Sequence, residues 1–231
     1  LTAKALGVEL LIHYGHSCLV PIDQTSGIKI LYVFVDIKID SKHFIDTMWL
    51  NFTPDVQIAL VSTIQFVSTL QFATKILKER GFKVTLPQLK PLSPGEILGC
   101  TAPVLKCVDV LVYVGDGQFH LEAVMIANPK MKAYKYDPYC KRFTSEEYDH
   151  VEMERVRKQS IDVAREAGTF GVIMGTLGRQ GSFKVVEHIR KRLEENTKKA
   201  VVILMSEIFP AKIDLFTRLD AFVQIACPRL S

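Results

Sequence analysis

Apolar residues in this chain come in short continuous runs separated by longer amphipathic stretches. Examples are IALVS from Ile58, VLVYV from Val110 and FGVIM from Phe170, none of which alternates strictly between apolar and polar positions. Continuous Val, Ile and Leu runs are typical of strands in parallel sheets that are covered on both faces. The pattern therefore predicts an α/β fold built on parallel sheets.

The amphipathic stretches predict helices between these strands. One helix follows Thr63 and ends at Gly81, because glycine readily adopts the left-handed conformation that follows many helices. Its predicted buried face carries Leu70, Ala73, Ile76 and Leu77. A helix after Gly181 is predicted to bury Val185, Val186, Ile189 and Leu193.

A third helix is predicted between Thr144 and Gly168 as a connector. Thr144 and Glu147 have the spacing of a capping box at its start. One narrow stripe runs along it, formed by Val156, Ser160, Val163, Ala164 and Ala167.

The pattern of strands repeats at the length of a domain. Thr63 and Thr176 follow equivalent strands and are 113 residues apart, while Leu111 and Phe222, in two further equivalent strands, are 111 apart. An earlier pair of runs, ELLIHYGHS from Glu9 and KILYVFVDI from Lys29, extends the repeat towards Leu1. The predicted organisation is three tandem homologous domains, of which the chain holds the end of the first (1–53), the second (54–168) and an incomplete third (169–231).

Composition adds few constraints. Apolar residues make up 48% and charged residues 23% of the 231, which is ordinary for a globular protein. No apolar run approaches the roughly 18 residues of a membrane-spanning helix, so no membrane association is expected. The five cysteines are odd in number and scattered, which favours a reducing compartment such as the cytoplasm.

The net charge of +4 is concentrated in one stretch. Residues 179–199 hold seven basic and three acidic side chains. Such a run is usually the solvated face of a helix, and without interleaved exposed aromatic residues it does not predict direct nucleic-acid binding.

Candidate functional residues interrupt the ends of the apolar runs, because ligands of open α/β sheets bind beyond the carboxyl ends of the strands. Six segments qualify: HYGHS from His13, STIQ from Ser62, GDGQFH from Gly115, GTLGRQG from Gly175, SEIFP from Ser206 and ACPR from Ala226. If the repeated units face inward, these loops are predicted to meet at one site.

The segment GTLGRQG follows a strand and opens a helix, so its backbone N–H groups are candidates for binding an anion near Gly178. Arg179 and Gln180 lie in the same turn, and a guanidinium can pair bidentately with a carboxylate. The segment does not match a dinucleotide or phosphate-loop motif, and glycines that merely permit a tight turn remain an alternative.

Two cysteines differ in context from the rest. Cys100 and Cys227 each lie in a loop beside Gly or Pro at the predicted site edge of its own unit. Distant thiolates from separate units can meet around an iron–sulfur cluster. The other three, Cys18, Cys107 and Cys140, are interpreted as small core residues.

Three histidines also lie in these segments. His13, His16 and His120 are candidates for acid, base or hydrogen-bonding roles near neutral pH, and the alternative for each is a structural histidine.

Taken together, several motifs resemble one family. They are HYGHSCL, YVFVDI, ALVSTIQFVSTLQ, PLSPGEILGCT, GDGQFHLE, MIANP, YKYDP, GTLGRQGS, SEIFP and ACPRLS. In this combination the chain resembles, over essentially its whole length, the 2-(3-amino-3-carboxypropyl)histidine synthases of the first step of diphthamide biosynthesis, and within them the eukaryotic catalytic subunits.

The resemblance implies three similar α/β domains that each give one cysteine to a 4Fe–4S cluster. Cys100 matches the ligand of the second domain and Cys227 that of the third. The first-domain cysteine would lie before Leu1, so the chain is expected to be truncated at both ends.

The implied reaction is an atypical radical transfer of a 3-amino-3-carboxypropyl group from S-adenosylmethionine to a histidine of translation elongation factor 2. Arg229 is the first candidate to bind the methionine carboxylate, with Arg179 and Gln180 next, and His16 and His120 are expected to line the pocket. Expected partners are the homologous second subunit and a CSL-type zinc protein that donates electrons.

Two alternatives stay open at this point. The chain could be the non-catalytic homologous subunit, against which the matching motifs around Cys100 and Cys227 argue. It could also be an unrelated α/β enzyme that binds an anion or a nucleotide through GTLGRQG.

Overall fold

The structure is a computed structural model that describes residues 3, 6–15, 27–90, 92–99, 101–176 and 181–226. The chain divides into two compact units. The larger unit comprises Leu10–Ser17 and Lys29–Tyr148, and the smaller unit comprises Leu1–Glu9, Cys18–Ile28 and Asp149–Ser231.

Strands and helices alternate through most of the chain. The strands are β1 (Leu10–Tyr14), β2 (Lys29–Val33), β3 (Gln57–Ser62), β4 (Lys83–Thr85), β5 (Val110–Val114), β6 (Lys132–Asp137), β7 (Arg142–Glu146), β8 (Thr169–Gly175), β9 (Lys199–Met205) and β10 (Ala221–Ile225). The helices are α1 (Ser41–Asn51), α2 (Val67–Glu79), α3 (Phe119–Ala127), α4 (His150–Arg165), α5 (Phe183–Glu195) and α6 (Pro210–Ile213). The predicted α/β fold is confirmed.

The larger unit is built on a five-stranded sheet in the order β4-β3-β5-β6-β7. All neighbours are parallel except β6 and β7, which form an antiparallel hairpin. Successive residues of β3 enter two different cores: Ile58 and Leu60 pack with α1 and α2, while Ala59 and Val61 pack with α3. The continuous apolar runs of the sequence therefore reflect a sheet that is covered on both faces.

The helix predicted after Thr63 is α2, preceded by a 3-10 turn at Ile64–Phe66. Leu70, Ala73 and Leu77 are buried on its inner face, and Ile76 packs at the margin of the same core. Gly81 follows with a φ of +87°, the left-handed conformation expected at the end of a helix.

The smaller unit has a parallel sheet in the order β10-β8-β9. Helix α5 packs on this sheet through Val186, with Ile189 and Leu193 at the margin. The prediction that Val185 is also buried was wrong, because Val185 is 44% exposed. Val185 precedes Val186 on the helix, and the rotation of about 100° between successive residues turns it off the narrow buried face.

The internal repeat is visible in the sheets. Strand β3 lies between β4 and β5, just as β8 lies between β9 and β10. All of these neighbours are parallel. The parallel pair β1-β2 likewise corresponds to β5-β6. Gly15 donates its N–H to Val33 at 3.1 Å, as Gly115 does to Tyr136. The domain boundaries 1–53, 54–168 and 169–231 stay a prediction.

The predicted start of the connecting helix was wrong. Thr144 lies in β7, and the helix begins after Asp149, whose carboxylate accepts the N–H of Glu152 at 2.8 Å. Aspartate caps a helix at least as well as threonine. Because Thr144 is part of the hairpin, the helix is capped by Asp149 instead.

The predicted stripe on α4 is largely uncovered. Val156 and Val163 are exposed, and α4 buries none of its own residues. Ser160 is exposed as well and Ala164 is half-buried, so Ala167, just beyond the helix, is the one buried member of the stripe.

Cys107 and Cys140 are exposed free thiols, which corrects their interpretation as core residues. Cys107 has a φ of +56°, and Cys140 lies in the turn between β6 and β7 beside Lys141, whose φ is +53°. Left-handed residues mark turns, and turns lie at protein surfaces. Cys18 lies outside the described residues. Among the described residues, no helix combines the length and the apolar character needed to span a membrane.

Candidate functional site

The loop that contains Cys100 is held against the carboxyl edge of the sheet in the larger unit. Ser62, the last residue of β3, donates its N–H to Gly95 at 2.8 Å and accepts that of Ile97 at 2.9 Å. Further along, the buried amide of Asn128 accepts the N–H of Leu105 at 2.7 Å and donates to the Pro103 carbonyl at 2.9 Å. The loop is irregular, as its prolines predicted, yet it is anchored at both ends.

A third anchor is the contact between Gly99 and Phe119, the first residue of α3. A Cβ atom added to Gly99 would lie 2.4 Å from Cε1 of Phe119, closer than any real Cβ contact. The ring therefore occupies the space that a side chain at position 99 would need. This close approach joins the loop around Cys100 to the start of α3, although Cys100 itself lies outside the described residues.

The turn between β5 and α3 is shaped by Tyr113. Its phenol covers Gly115, where an added Cβ would lie 2.5 Å from the hydroxyl oxygen. The same hydroxyl donates a hydrogen bond of 3.2 Å to the Asp116 carbonyl. Gly117 completes the turn with a φ of +64°. His120 follows in the first turn of α3, half-buried, with its ring 5.2 Å from that of Phe119.

The phenol of Tyr113 stays neutral at physiological pH. Burial raises its pKa above the ordinary value, and the nearby Asp116 carboxylate raises the pKa further. The nearby Thr63 hydroxyl lowers the pKa by a smaller amount, although its oxygen and the Tyr113 oxygen do not have hydrogen-bonding geometry. Tyr113 is therefore a fixed hydrogen-bond donor to the turn.

Three buried hydroxyls at this edge have no hydrogen-bond partner among the described residues. They belong to Ser62, Thr63 and Thr101. Ser62 ends β3, Thr63 follows it, and Thr101 directly follows Cys100. A buried hydroxyl without a partner costs about 1–3 kcal/mol, so each such group in a native protein calls for an explanation. We name Ser62, Thr63, Gly99, Thr101, Tyr113, Phe119 and His120 the edge cluster.

A second polar group lies at the end of β6. The Tyr136 hydroxyl and Nδ1 of His43 are hydrogen-bonded at 2.9 Å, and Lys141 forms an ion pair of 2.7 Å with Asp40. Burial raises the pKa of Tyr136 to about 12, and Asp40 raises it as well. These contacts tie the hairpin turn to the start of α1.

In the smaller unit, the equivalent position is the end of β8. Thr176 extends the ladder past β8 by donating its N–H to Met205 at 2.8 Å. A Cβ added to Gly181 would lie 2.4 Å from the Gly175 carbonyl oxygen, so Gly181 packs directly against the last residue of β8. Gly178, Arg179 and Gln180 lie between these points and outside the described residues.

Most of the predicted site residues cannot be placed. Two are described: His13 lies in β1, with its ring 5.5 Å from that of Tyr32, and His120 lies in the first turn of α3. The others lie outside the described residues: His16, Cys100, Gly178, Arg179, Gln180, Cys227 and Arg229. The described part of the chain contains no group of three His, Cys, Asp or Glu residues arranged to hold a metal ion. That the loops at Gly15, Gly115, Gly178 and Cys227 share one cleft stays a prediction.

Sequence reasoning missed several members of the edge cluster. Tyr113 was read as part of an apolar strand, and Gly99 and Phe119 were not connected because they lie 20 residues apart. The available signal was a tyrosine two residues before a glycine at a strand end, where its hydroxyl can close a turn.

Comparison with known proteins places the chain in a family. The sequence model of the family described as "Putative diphthamide synthesis protein" matches residues 1–231. Proteins named 2-(3-amino-3-carboxypropyl)histidine synthase subunit 1 are 56% identical in Nematostella vectensis (230 residues) and Homo sapiens (232 residues), and 50% identical in Dictyostelium discoideum (239 residues). Each match covers 100% of this chain but 49%, 53% and 50% of the relative, so the chain spans about half their length.

Solved structures agree with this result. Dph2 from Pyrococcus horikoshii is 28% identical with a TM-score of 0.77, over 99% of this chain and 67% of Dph2. The structure of Dph2 from the same organism with a 4Fe–4S cluster is 27% identical, with the same TM-score and coverage. These matches exclude an unrelated anion-binding enzyme, and all three relatives are named as subunit 1. The chain belongs to the diphthamide synthesis protein family.

Proposed function

We propose that the protein containing this chain carries out the first step of diphthamide biosynthesis. The group transferred is 3-amino-3-carboxypropyl, the donor is S-adenosylmethionine, and the acceptor is a histidine of translation elongation factor 2. The main support is the likeness, over the whole chain, to relatives named as synthase subunit 1. The likeness to a Dph2 structure that holds a 4Fe–4S cluster supports the same proposal.

Thiolates are the usual ligands of iron–sulfur clusters, and the chain supplies two in loops of matching context, Cys100 and Cys227. Gly99, which precedes Cys100, is held at the carboxyl edge of the sheet by its contact with Phe119. In the proposed site, Cys100 and Cys227 hold the cluster as thiolate ligands, with a further ligand from outside this chain. When bound, the cluster supplies the electron that cleaves the bond between sulfur and the γ-carbon of the methionine moiety.

The chain's own residues then bind and orient the substrate. Arg229 pairs with the methionine carboxylate, because a guanidinium fits a carboxylate bidentately, and Arg179 and Gln180 assist from the loop near Gly178. His16 and His120 line the pocket.

The remaining partners follow from the same proposal. The protein acts in the cytoplasm with a homologous second subunit and a CSL-type zinc protein as electron donor. Elongation factor 2 is the protein substrate. Neither a membrane nor a nucleic acid is required.

The proposal is tested on the longest natural form of the protein, purified without oxygen together with its homologous subunit. We expect bound iron and sulfide, an electron paramagnetic resonance signal after reduction, and transfer of label from carboxyl-labelled S-adenosylmethionine to elongation factor 2. A protein that folds but comes out colourless and iron-free under these conditions would contradict the proposal. Transfer of a labelled methyl group in place of the carboxyl label would also contradict it.

A further inference from the structure

A groove lies at the amino end of the parallel sheet in the smaller unit, between α5 and the end of α4. Its volume is about 490 Å³. It is lined by Phe170, the second residue of β8, and by Lys198, which directly precedes β9. The groove is therefore at the opposite end of these strands from the carboxyl edge, where the proposed reaction takes place.

The groove has an apolar floor and a basic rim. Phe170 is 7% exposed, and Ile189 and Leu193 of α5 pack at the margin of the core beneath it. The basic residues that line the groove are Arg165, His188, Arg192 and Lys198. No acidic residue of the described part of the chain lines it. We name this feature the basic groove.

The equivalent position in the larger unit is filled by an aromatic ring. Lys198 donates its N–H to the Leu193 carbonyl at 2.9 Å, as Phe82 does to the Leu77 carbonyl at 3.0 Å. The two residues therefore occupy the same place in the turn between helix and strand. Phe82 is 4% exposed and belongs to the core around α2. The smaller unit thus has an ammonium group where the larger unit has a phenyl ring.

A second position of the repeat differs in the same sense. Arg192 directly precedes Leu193, as Ile76 directly precedes Leu77. Ile76 packs against the core of the larger unit, whereas Arg192 is exposed. The basic groove therefore arises from the side chains of the smaller unit, because the same backbone arrangement is filled by apolar groups in the larger unit.

The rim cations are only partly compensated by the chain itself. Arg165 forms an ion pair of 3.1 Å with Asp162, and the Lys198 ammonium group donates to the Arg165 carbonyl at 3.2 Å. The Arg192 guanidinium forms no hydrogen bond or ion pair with any residue that the structure describes. Its charge is therefore available to a carboxylate from another molecule.

Acids on the same helix do not compensate Arg192. Glu187 and Glu194 both pair with Arg190, each at 2.9 Å. Arg190 does not line the groove. The groove therefore presents positive charge around an apolar floor, which is complementary to an apolar side chain flanked by carboxylates.

The shape of the groove favours a peptide as its occupant. It extends along α5 from His188 to Asn196, eight residues further on, which is about 12 Å of helix. An extended chain rises about 3.3 Å per residue, so three or four residues span this length. Phe170 is the one aromatic residue that lines the described groove, and it is too deeply buried to stack on a nucleic-acid base.

We propose that the basic groove binds an acidic peptide segment of a partner protein. A Leu or Phe side chain of that segment packs on Ile189 and Leu193, and carboxylates on either side of it pair with Arg192 and Lys198. This site goes beyond the proposed transfer reaction and does not depend on it.

The test selects peptides on the longest natural form of the protein. A displayed library of random peptides of about eight residues is the probe, and selected peptides are labelled and measured by fluorescence anisotropy. We expect the selected sequences to carry Leu or Phe next to Asp or Glu. Replacing the Leu or Phe by Ala should weaken binding.

Two neighbouring residues of α5 provide a matched pair of variants. Arg192→Glu should weaken binding of the selected peptide about tenfold or more, because it places a carboxylate against the carboxylates of the peptide. Lys191→Glu makes the same change of charge at an exposed residue that does not line the groove. It should change the affinity by less than about twofold at physiological ionic strength, because distant exposed charges are screened.

Lys198→Phe tests the groove by filling it. This variant introduces the side chain that Phe82 supplies in the larger unit, so it should abolish peptide binding. Its free energy of unfolding in urea should equal or exceed that of the wild type. Loss of binding in a folded protein then reports on the groove itself.

Three results would overturn the inference. One is a wild type that selects no peptides of this pattern. Another is an equal loss of affinity in Arg192→Glu and Lys191→Glu, which would show general attraction between charges. The third is an oligothymidine strand of similar charge that binds as tightly as the peptide, which would indicate a site for polyanions of any kind.

Discussion

Gly99 and Phe119 lie in contact across the carboxyl edge of the sheet, and an added Cβ at Gly99 would be 2.4 Å from the phenylalanine ring. This contact fixes the loop that carries Cys100 against the helix that carries His120. The absence of a side chain at Gly99 therefore allows two parts of the proposed site to lie this close together.

Gly99→Ala is expected to push the loop away from Phe119 and lower the iron bound per protein. Overpacking of this kind costs about 1–3 kcal/mol of stability. Gly168→Ala is the matched control, because its Cβ would meet only the Asp220 carboxylate at 3.6 Å. Adding Phe119→Leu to Gly99→Ala should restore iron, measured by chemical analysis after anaerobic reconstitution. Equal iron in the single variant and the wild type would show that the contact is unimportant.

Cys100→Ala and Cys227→Ala are each expected to remove most of the cluster iron, because each variant loses one thiolate ligand. Cys140→Ala is the control, since Cys140 is an exposed thiol in the hairpin turn after β6. Iron, sulfide and the visible absorption spectrum are measured for all three. Equal retention of iron in the three variants would refute the ligand assignment.

In the smaller unit, Gly171 of β8 faces its register partner Phe222 of β10. A Cβ at Gly171 would lie 2.5 Å from Cδ1 of that ring and 3.0 Å from Leu219. Gly171→Ala should therefore lower the free energy of unfolding by about 1–3 kcal/mol. Urea unfolding followed by circular dichroism measures this, and Phe222→Leu in the same chain should recover most of the loss. A single variant as stable as the wild type would mean that the ring moves freely.

Alkaline stability should depend on Tyr136. Its pKa is raised by burial to about 12, while an exposed tyrosine in the unfolded chain titrates near 10. Between these values the unfolded state has lost the proton and the folded state keeps it. The stabilising effect is therefore complete below about pH 10 and is lost as the pH rises towards 12.

Tyr136→Phe tests this dependence. The variant should be less stable at pH 8, because it loses the hydrogen bond to Nδ1 of His43, worth about 0.5–1.5 kcal/mol. Its stability should then fall less than that of the wild type between pH 9 and pH 11, measured by urea unfolding at each pH. Tyr113 contributes in the same direction, so Tyr113→Phe is the natural comparison. If the free energy of unfolding fell equally with pH in Tyr136→Phe and the wild type, the role of Tyr136 would be contradicted.

Arg229→Lys should keep the cluster and weaken the affinity for S-adenosylmethionine by roughly tenfold, about 1.4 kcal/mol. Lysine retains the charge but lacks the planar fork that pairs with a carboxylate. Equilibrium binding to the reconstituted protein measures the change, and Arg218→Lys, at an exposed arginine that has no role in the proposed site, is the control. Unchanged affinity with an intact cluster would shift the role to Arg179.

The sequence by itself determined the elements and their order. Continuous apolar runs located β3, β5 and β8, and the spacing of Leu70, Ala73 and Leu77 located the inner face of α2. These are local signals, because the period of side chains along a strand or helix decides which positions a core can take. The repeated runs also predicted that the two sheets contain equivalent strands.

Tertiary structure decided what the local pattern left open. The capping box at Thr144 was overridden when that residue paired in the hairpin with β6, since strand pairing depends on a partner distant in sequence. The contact of Gly99 with Phe119, the closure of the turn by Tyr113 and the unpartnered hydroxyl of Thr101 arise only when separate segments meet at the sheet edge. Such contacts depend on distances between segments, and no periodicity in the sequence encodes them.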